Sequence, residues 1–319
     1  MKHINMRKTT ILAAMIFWSA PLALFAQKQY AVAYGNDGRI EVKDAPAWVQ
    51  RLAKSTVALF LKENLPLDRS SGKYAIKSET LGQLTNLARW PGVLDKNQRF
   101  LDQPAASYCS GALIGEDRIF TAAHCLVQTQ AVAGGIFTCG KDKIVFGYRM
   151  EENGMISSSF EGEEVYNCTV EDYKLDDTTG EDWAVLKLDR QAKGHAPLSV
   201  NIDQKPEAET KLFVIGHPSR LPAKVDMGGK IRSVREEDPF FVTNLDTFHG
   251  NSGSPVFNAE TLLIEGILVR GEQDYVNGPN GVIVNVLAQD GGDGEKVTKI
   301  SRISRYIKPE QTTMVVMPA

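Results

Sequence analysis

Apolar residues in this chain gather into short runs bounded by Gly, Pro, Asn and Asp, the pattern of β-strands between turns. Runs of this kind lie at Thr56–Leu61, Ser110–Ile114, Lys143–Tyr148, Glu164–Val170, Trp183–Leu188, Leu212–Ile215, Phe240–Thr243, Leu262–Val269 and Gly281–Val286. Helical spacing appears only near Pro46–Lys54 and Thr298–Ile307. Many strands without alternating helices predict an all-β barrel or sandwich architecture, not a parallel α/β sheet. The stretch Asp189–Ala208, with Gly194, Pro197 and Pro206, reads as the connection between two halves.

Composition changes this picture little. The 319 residues are 43% apolar and 24% charged, enough apolar mass for two modest domains or one large β unit. The start of the chain changes it more. Lys2, Arg7 and Lys8 precede a mostly apolar run, Ile11–Phe25, and small residues lead to an expected cut after Ala26. Residues 1–26 are therefore expected to be a signal peptide, with Pro21 breaking a run already short for an anchor helix. No cysteine lies near the cut to carry a lipid, and no later segment is apolar enough to span a bilayer as a helix. The expected destination is secreted or periplasmic, without a stable membrane anchor. The formal charge of −3 falls to about −6 once that basic leader is removed. No basic patch interleaved with aromatics is present, so a nucleic-acid partner is not expected.

Four cysteines in an exported chain are expected to pair. Three pairings are open; adjacent pairing, Cys109 with Cys125 and Cys139 with Cys168, gives the short loops and keeps each bridge within one strand-rich segment. No C-x-x-C or H-x-x-x-H spacing supports zinc, and Asp290–Glu295 lacks the full calcium-loop pattern, so no metal or other cofactor is expected.

Three further segments carry chemistry. Phe120-Thr121-Ala122-Ala123-His124-Cys125 is followed by Glu181-Asp182-Trp183-Ala184-Val185, and then by Gly250-Asn251-Ser252-Gly253-Ser254-Pro255. A serine hydroxyl is a weak nucleophile and needs a base; imidazole serves, and a carboxylate can fix its tautomer. Chain order separates the folds that share this triad. An α/β-hydrolase needs a histidine after its serine, yet the last histidine is His249, and a subtilisin order needs the aspartate first. The order His124, Asp182, Ser252 remains, and it belongs to two-barrel serine peptidases. Gly250 and Gly253 flank the nucleophile, making the amides of Gly250 and Ser252 candidates for an oxyanion hole.

These segments resemble the chymotrypsin-like serine peptidases, and the 16-residue spacing of Cys109 and Cys125 matches that family's histidine-loop disulfide. Asn251, Ser254, Val214-Ile215-Gly216-His217-Pro218 and Asn36-Asp37-Gly38-Arg39 resemble its bacterial V8-like, glutamyl endopeptidase-like branch. The resemblance runs from about Tyr34 to the end, with residues 62–100 matching poorly. It implies two six-stranded antiparallel Greek-key barrels, with the active site in the cleft between them. Residues 101–194 would form the first barrel with His124 and Asp182, and 195–319 the second with Ser252. Residues 27–100 would form an N-terminal segment, either in part a removable propeptide or part of the first barrel, with strand 56–61 expected to join that barrel. The implied activity is that of a monomeric endopeptidase on protein or peptide substrates.

Specificity has competing readings. Asp246 stands where trypsin-like enzymes carry the carboxylate that selects Lys or Arg; a loop aspartate bonding nearby backbone is the alternative. Thr247, His249 and Arg270 could instead line a pocket for an acidic side chain, although Leu268 replaces the histidine of glutamyl endopeptidases. Leu268 and Gly271 are candidate contacts for the substrate strand. Two rival functions stay open: an esterase on the same fold, and a catalytically silent binding or adhesion protein, against which the intact triad and both glycines argue.

Overall fold

A computed structural model describes residues 33–87, 90–127 and 136–312; the expected leader lies outside them. The first sheet uses seven strands: β1 (Thr56–Phe60), β2 (Cys109–Leu113), β3 (Arg118–Thr121), β4 (Lys143–Phe146), β5 (Val165–Tyr166), β6 (Cys168–Asp176) and β7 (Glu181–Leu188). Their spatial order is β5-β4-β1-β2-β3-β7-β6, antiparallel throughout. Only Asn167 separates β5 from β6, so the chain itself joins the two edges of this curled sheet. Strand β7 is buried on nearly every residue because it lies between β3 and β6. Edge strand β6 is mostly exposed and carries Glu171, Asp172 and Lys174, charges that discourage pairing with another chain.

The second half contains β8 (Lys211–Gly216), β9 (Lys224–Val234), β10 (Phe240–Thr243), β11 (Pro255–Asn258), β12 (Ile264–Arg270) and β13 (Glu295–Lys299). The order β8-β11-β12-β13-β10-β9 closes on itself because β9 also pairs with β8. Closing so few strands demands strong bending, and register shifts interrupt the ladders at Leu212/Val214, Ile231/Ser233, Val256/Phe257 and Leu268/Arg270. A closed six-stranded barrel beside a curled sheet of matching strand order is the trypsin-like two-barrel architecture.

The N-terminal segment serves both halves. Ala33–Tyr34 pairs in parallel with Val286–Leu287, and Ile40–Glu41 pairs with Lys224–Val225, strapping residues 33–41 to the closed barrel. Helix α1 (Ala47–Ala53) then buries Val49 and Ala53 and sets Trp48 edge-on to Phe213 at 5.3 Å, before β1 enters the first sheet. The helical spacing of Thr298–Ile307 is overridden at its start. Thr298 pairs with Phe240 on one side and Ile267 on the other, and only Ile300–Tyr306 winds into 3-10 turns. One apolar cluster runs through the junction, joining Val57, Ile119 and Val185 to Phe213, Ile215 and Ile267. Burial of each such side chain contributes about 1.5–3 kcal/mol, so the halves are held by a shared core.

Candidate active site

Three local structures bring the triad together. Strand β3 ends at Thr121, and a 3-10 turn over Ala123–Cys125 presents His124. The Cys109–Cys125 disulfide ties that turn back to β2, and a second disulfide joins Cys139 to Cys168. Asp182, near the start of β7, is wholly buried, and its Oδ1 accepts the amides of Ala123 (2.7 Å) and His124 (3.2 Å). Its Oδ2 lies 2.7 Å from His124 Nδ1. A carboxylate only accepts, so Nδ1 carries the proton in this pair and Nε2 is the acceptor. Ser252 Oγ lies 2.7 Å from that Nε2 and donates to it. Burial pushes the Asp182 carboxyl up, while His124 and Arg270 pull it down; the result lies below the ordinary carboxylate range.

The serine loop joins β10 to β11 and is moulded by glycine. Gly250 has φ +101°, and a Cβ there would lie 2.5 Å from the His217 carbonyl oxygen and 3.0 Å from the Arg220 nitrogen. Gly253 has φ +89° and packs directly on Ser110, Thr121 and Ala122 of the other half. Ser110 fastens the loop: its amide donates to the Ser252 carbonyl (2.8 Å) and its hydroxyl to the Gly250 carbonyl (2.8 Å). Among the described residues, the Gly250 and Ser252 amides have no protein acceptor, which leaves them available to an oxyanion. Asn251 is buried, and its side-chain Oδ1 accepts the Ser254 hydroxyl at 3.3 Å.

The specificity candidates scatter. Asp246 is buried and accepts the amides of Tyr34 and Gly38, each at 2.6 Å. Burial, and then the nearby Asp226 carboxylate, push its pKa up to about 7. Thr247 donates its hydroxyl to Glu295, a buried carboxyl that also receives Tyr34 Oη (3.3 Å) and the Glu272 amide (3.1 Å). Glu295 lies directly beneath Gly271, where any Cβ would collide with it. His249 is exposed, with its amide on Asp274 (3.0 Å) and its carbonyl accepting Ser219 N–H (2.6 Å). Leu268 is buried and exchanges backbone hydrogen bonds with Gly253 and Ser254, so it reaches the site through its main chain. Arg270 turns inward, donating to Asp177 (3.1 Å) and to the Gly180 carbonyl (3.4 Å). The acidic turn at residues 290–292 offers its carbonyls to the Arg232 guanidinium.

Ser110, Thr298, Asp226 and Glu295 escaped sequence reasoning. Thr298 Oγ1 donates to the Asp182 carbonyl across the barrel junction at 2.7 Å. Ser110 was marked only by its adjacency to Cys109, and Glu295 only as the end of the acidic Asp290–Glu295 segment; Thr298 and Asp226 sit in no motif.

Residues 109–264 match the sequence profile of a trypsin-like peptidase domain. No curated protein matches the chain. Among solved structures, the serine endoprotease from Yersinia pestis is similar at 15% identity and a TM-score of 0.44, over 82% of this chain and 66% of that one. This chain thus spans just under two thirds of that structure's length. A Glu endopeptidase in complex with MPD is similar at 18% identity and a TM-score of 0.46, over 86% of this chain and 98% of that one. The matched domain and the two-barrel architecture support a serine peptidase.

Proposed function

We propose that the protein is an exported serine endopeptidase of the V8-like kind, acting without a cofactor on protein or peptide substrates. The observation that carries this reading is the unbroken relay from Ser252 Oγ to His124 Nε2 and from His124 Nδ1 to Asp182 Oδ2, each link 2.7 Å. In this reaction Ser252 Oγ attacks the scissile carbonyl carbon while its proton passes to Nε2. The Gly250 and Ser252 amides hold the developing oxyanion. The peptide C–N bond then breaks, Nε2 returns the proton to the leaving amine, and an acyl ester remains on Ser252. Water, deprotonated by Nε2, releases the acyl group and restores the serine hydroxyl.

Asn251 bears on activation. Trypsin-like zymogens switch on through an ion pair between a freed amino terminus and an aspartate just before the nucleophile, and an amide cannot form one. Its contact with Ser254 is consistent with a loop ordered without that switch. The hydrogen bonds of Asp246 to Tyr34 and Gly38 favour an anchoring role over selection of a basic side chain.

A fluorophosphonate probe on the processed protein tests the enzyme claim, with peptide-library profiling to follow. Labelling absent from Ser252→Ala, with cleavage reduced on the order of 10⁴–10⁶-fold, is expected. No labelling of the wild type overturns the reading and leaves a silent binding protein. Labelling without peptide cleavage points to an esterase.

A further inference from the structure

The Arg270 side chain is 5% exposed, and its Nη2 lies 3.7 Å from Asp182 Oδ2, the same oxygen that receives His124 Nδ1. That separation is an ion-pair distance beyond hydrogen-bond range, so the guanidinium supplies charge without competing for the histidine's acceptor. Its orientation is fixed by Asp177 Oδ1, which accepts from the same Nη2, and by the Gly180 carbonyl, which accepts from Nη1. Gly180, at φ +77°, helps make room: a Cβ there would lie 2.9 Å from the Phe240 ring and 3.7 Å from Arg270 Nη1. The charged groups facing this cluster are Asp182 from β7, Asp177 from the β6–β7 turn and His124 from its 3-10 turn. Lys296, the cross-strand neighbour of Arg270, lays its ammonium over Phe240 at 4.8 Å.

Resting on the serine-peptidase reading, we propose that Arg270 is a positioning residue of the triad: it sets a fixed cation beside the Asp182 carboxylate, and that charge sets the pH range over which His124 acts as a base. The physics has a definite sign. Asp182 attracts a protonated imidazole and would hold the proton on it to higher pH. A fixed cation beside Asp182 offsets part of that attraction, so the base form of His124 persists to lower pH. Asp177, paired with the same Nη2, tempers the cation.

The experiment compares wild type, Arg270→Met, Arg270→Lys and Asp177→Asn. It uses the full processed chain, with kcat/KM on a cleaved peptide and the fluorophosphonate labelling rate followed from pH 5 to 9. Arg270→Met should move the acid limb of both profiles up by about one pH unit, up to about tenfold in rate at low pH. Arg270→Lys should restore most of the wild-type position. Asp177→Asn should move the limb the opposite way, because it leaves Arg270 less neutralised. A structural role alone would lower activity in parallel at every pH. An unmoved acid limb in Arg270→Met, or a shift of both variants in one direction, overturns the proposal. If Arg270→Met does not fold, Asp177→Asn decides alone, since Asp177 is largely exposed; an unmoved limb there overturns it. A wild type that does not label fails for a different reason, since the peptidase reading itself then falls.

Discussion

Gly253→Ala separates the two demands that the site makes on its glycines. Gly253 and Gly140 have nearly the same φ, +89° and +84°. Their surroundings differ. An added methyl at Gly140 meets nothing within 4 Å, whereas at Gly253 it enters the Ser110 carbonyl oxygen and Thr121 Oγ1 and comes within 3.0 Å of the Ala122 nitrogen. Gly140→Ala should therefore cost only the left-handed strain, about 1–2 kcal/mol. Gly253→Ala adds overpacking against rigid backbone, about 1–3 kcal/mol more, for a total of about 2–5 kcal/mol. Relief requires the serine loop to back away from the first sheet, and a displacement of about 1 Å at Ser252 costs about 10²-fold in rate. Stability is read from denaturant midpoints in a Ser252→Ala background, which prevents self-digestion, and function from the fluorophosphonate labelling rate with Ser252 intact. If Gly253→Ala melted with Gly140→Ala and labelled within about threefold of wild type, the barrels would not be in hard contact behind the nucleophile, and the account of the site would fail.

The two disulfides offer a similar contrast. Their sequence separations of 16 and 29 predict losses of about 3 and about 3.5 kcal/mol for the double alanine variants, measured by thermal melts. Only Cys109→Ala with Cys125→Ala should also slow labelling, because Cys125 belongs to the His124 turn; equal labelling in both variants would refute that link. Asp246 gives a pH prediction. Its folded pKa is raised to about 7, by burial first and by Asp226 second, while an unfolded carboxyl titrates near 4. The folded state therefore holds a proton that the unfolded state releases, and the contribution of Asp246 to stability is fullest below about pH 4 and declines as pH rises towards 7. Asp226→Asn removes the like charge and should flatten that decline in melts from pH 4 to 8; an unchanged slope would count against the carboxylate pair.

Strand positions were legible where burial on the sheet matched apolar runs, as at Thr56–Phe60 and Glu181–Leu188. They were obscure where the chain carries glycine and charge along a ladder. Strand β9 holds Asp226, Gly228, Gly229 and Lys230 among its eleven residues, yet forms because neighbours on both sides satisfy its backbone. Gly229 sits there because the Leu245 side chain occupies the space a Cβ would need. Thr298 shows the converse, a helical spacing overruled by two flanking strands.

The same distinction separates the triad from the residues around it. Gly250 and Gly253 bracket Ser252 in the sequence and so are readable there, although the atoms that exclude a Cβ come from His217 and Arg220 in one case and from Ser110, Thr121 and Ala122 in the other. Asp246 is defined by amides 208 and 212 positions away in the chain, and no local pattern could announce that its carboxylate was already engaged. Arg270 likewise takes its meaning from Asp177 and Gly180, 93 and 90 positions earlier. The triad members also meet across 58 and 128 positions, but each sits in a short motif that can be read on its own. A side chain that tunes or selects answers to whichever strand the fold lays beside it. The closed barrel brings β12 alongside β13 and against the start of β7, and that crossing turns an arginine expected at the substrate into a neighbour of Asp182.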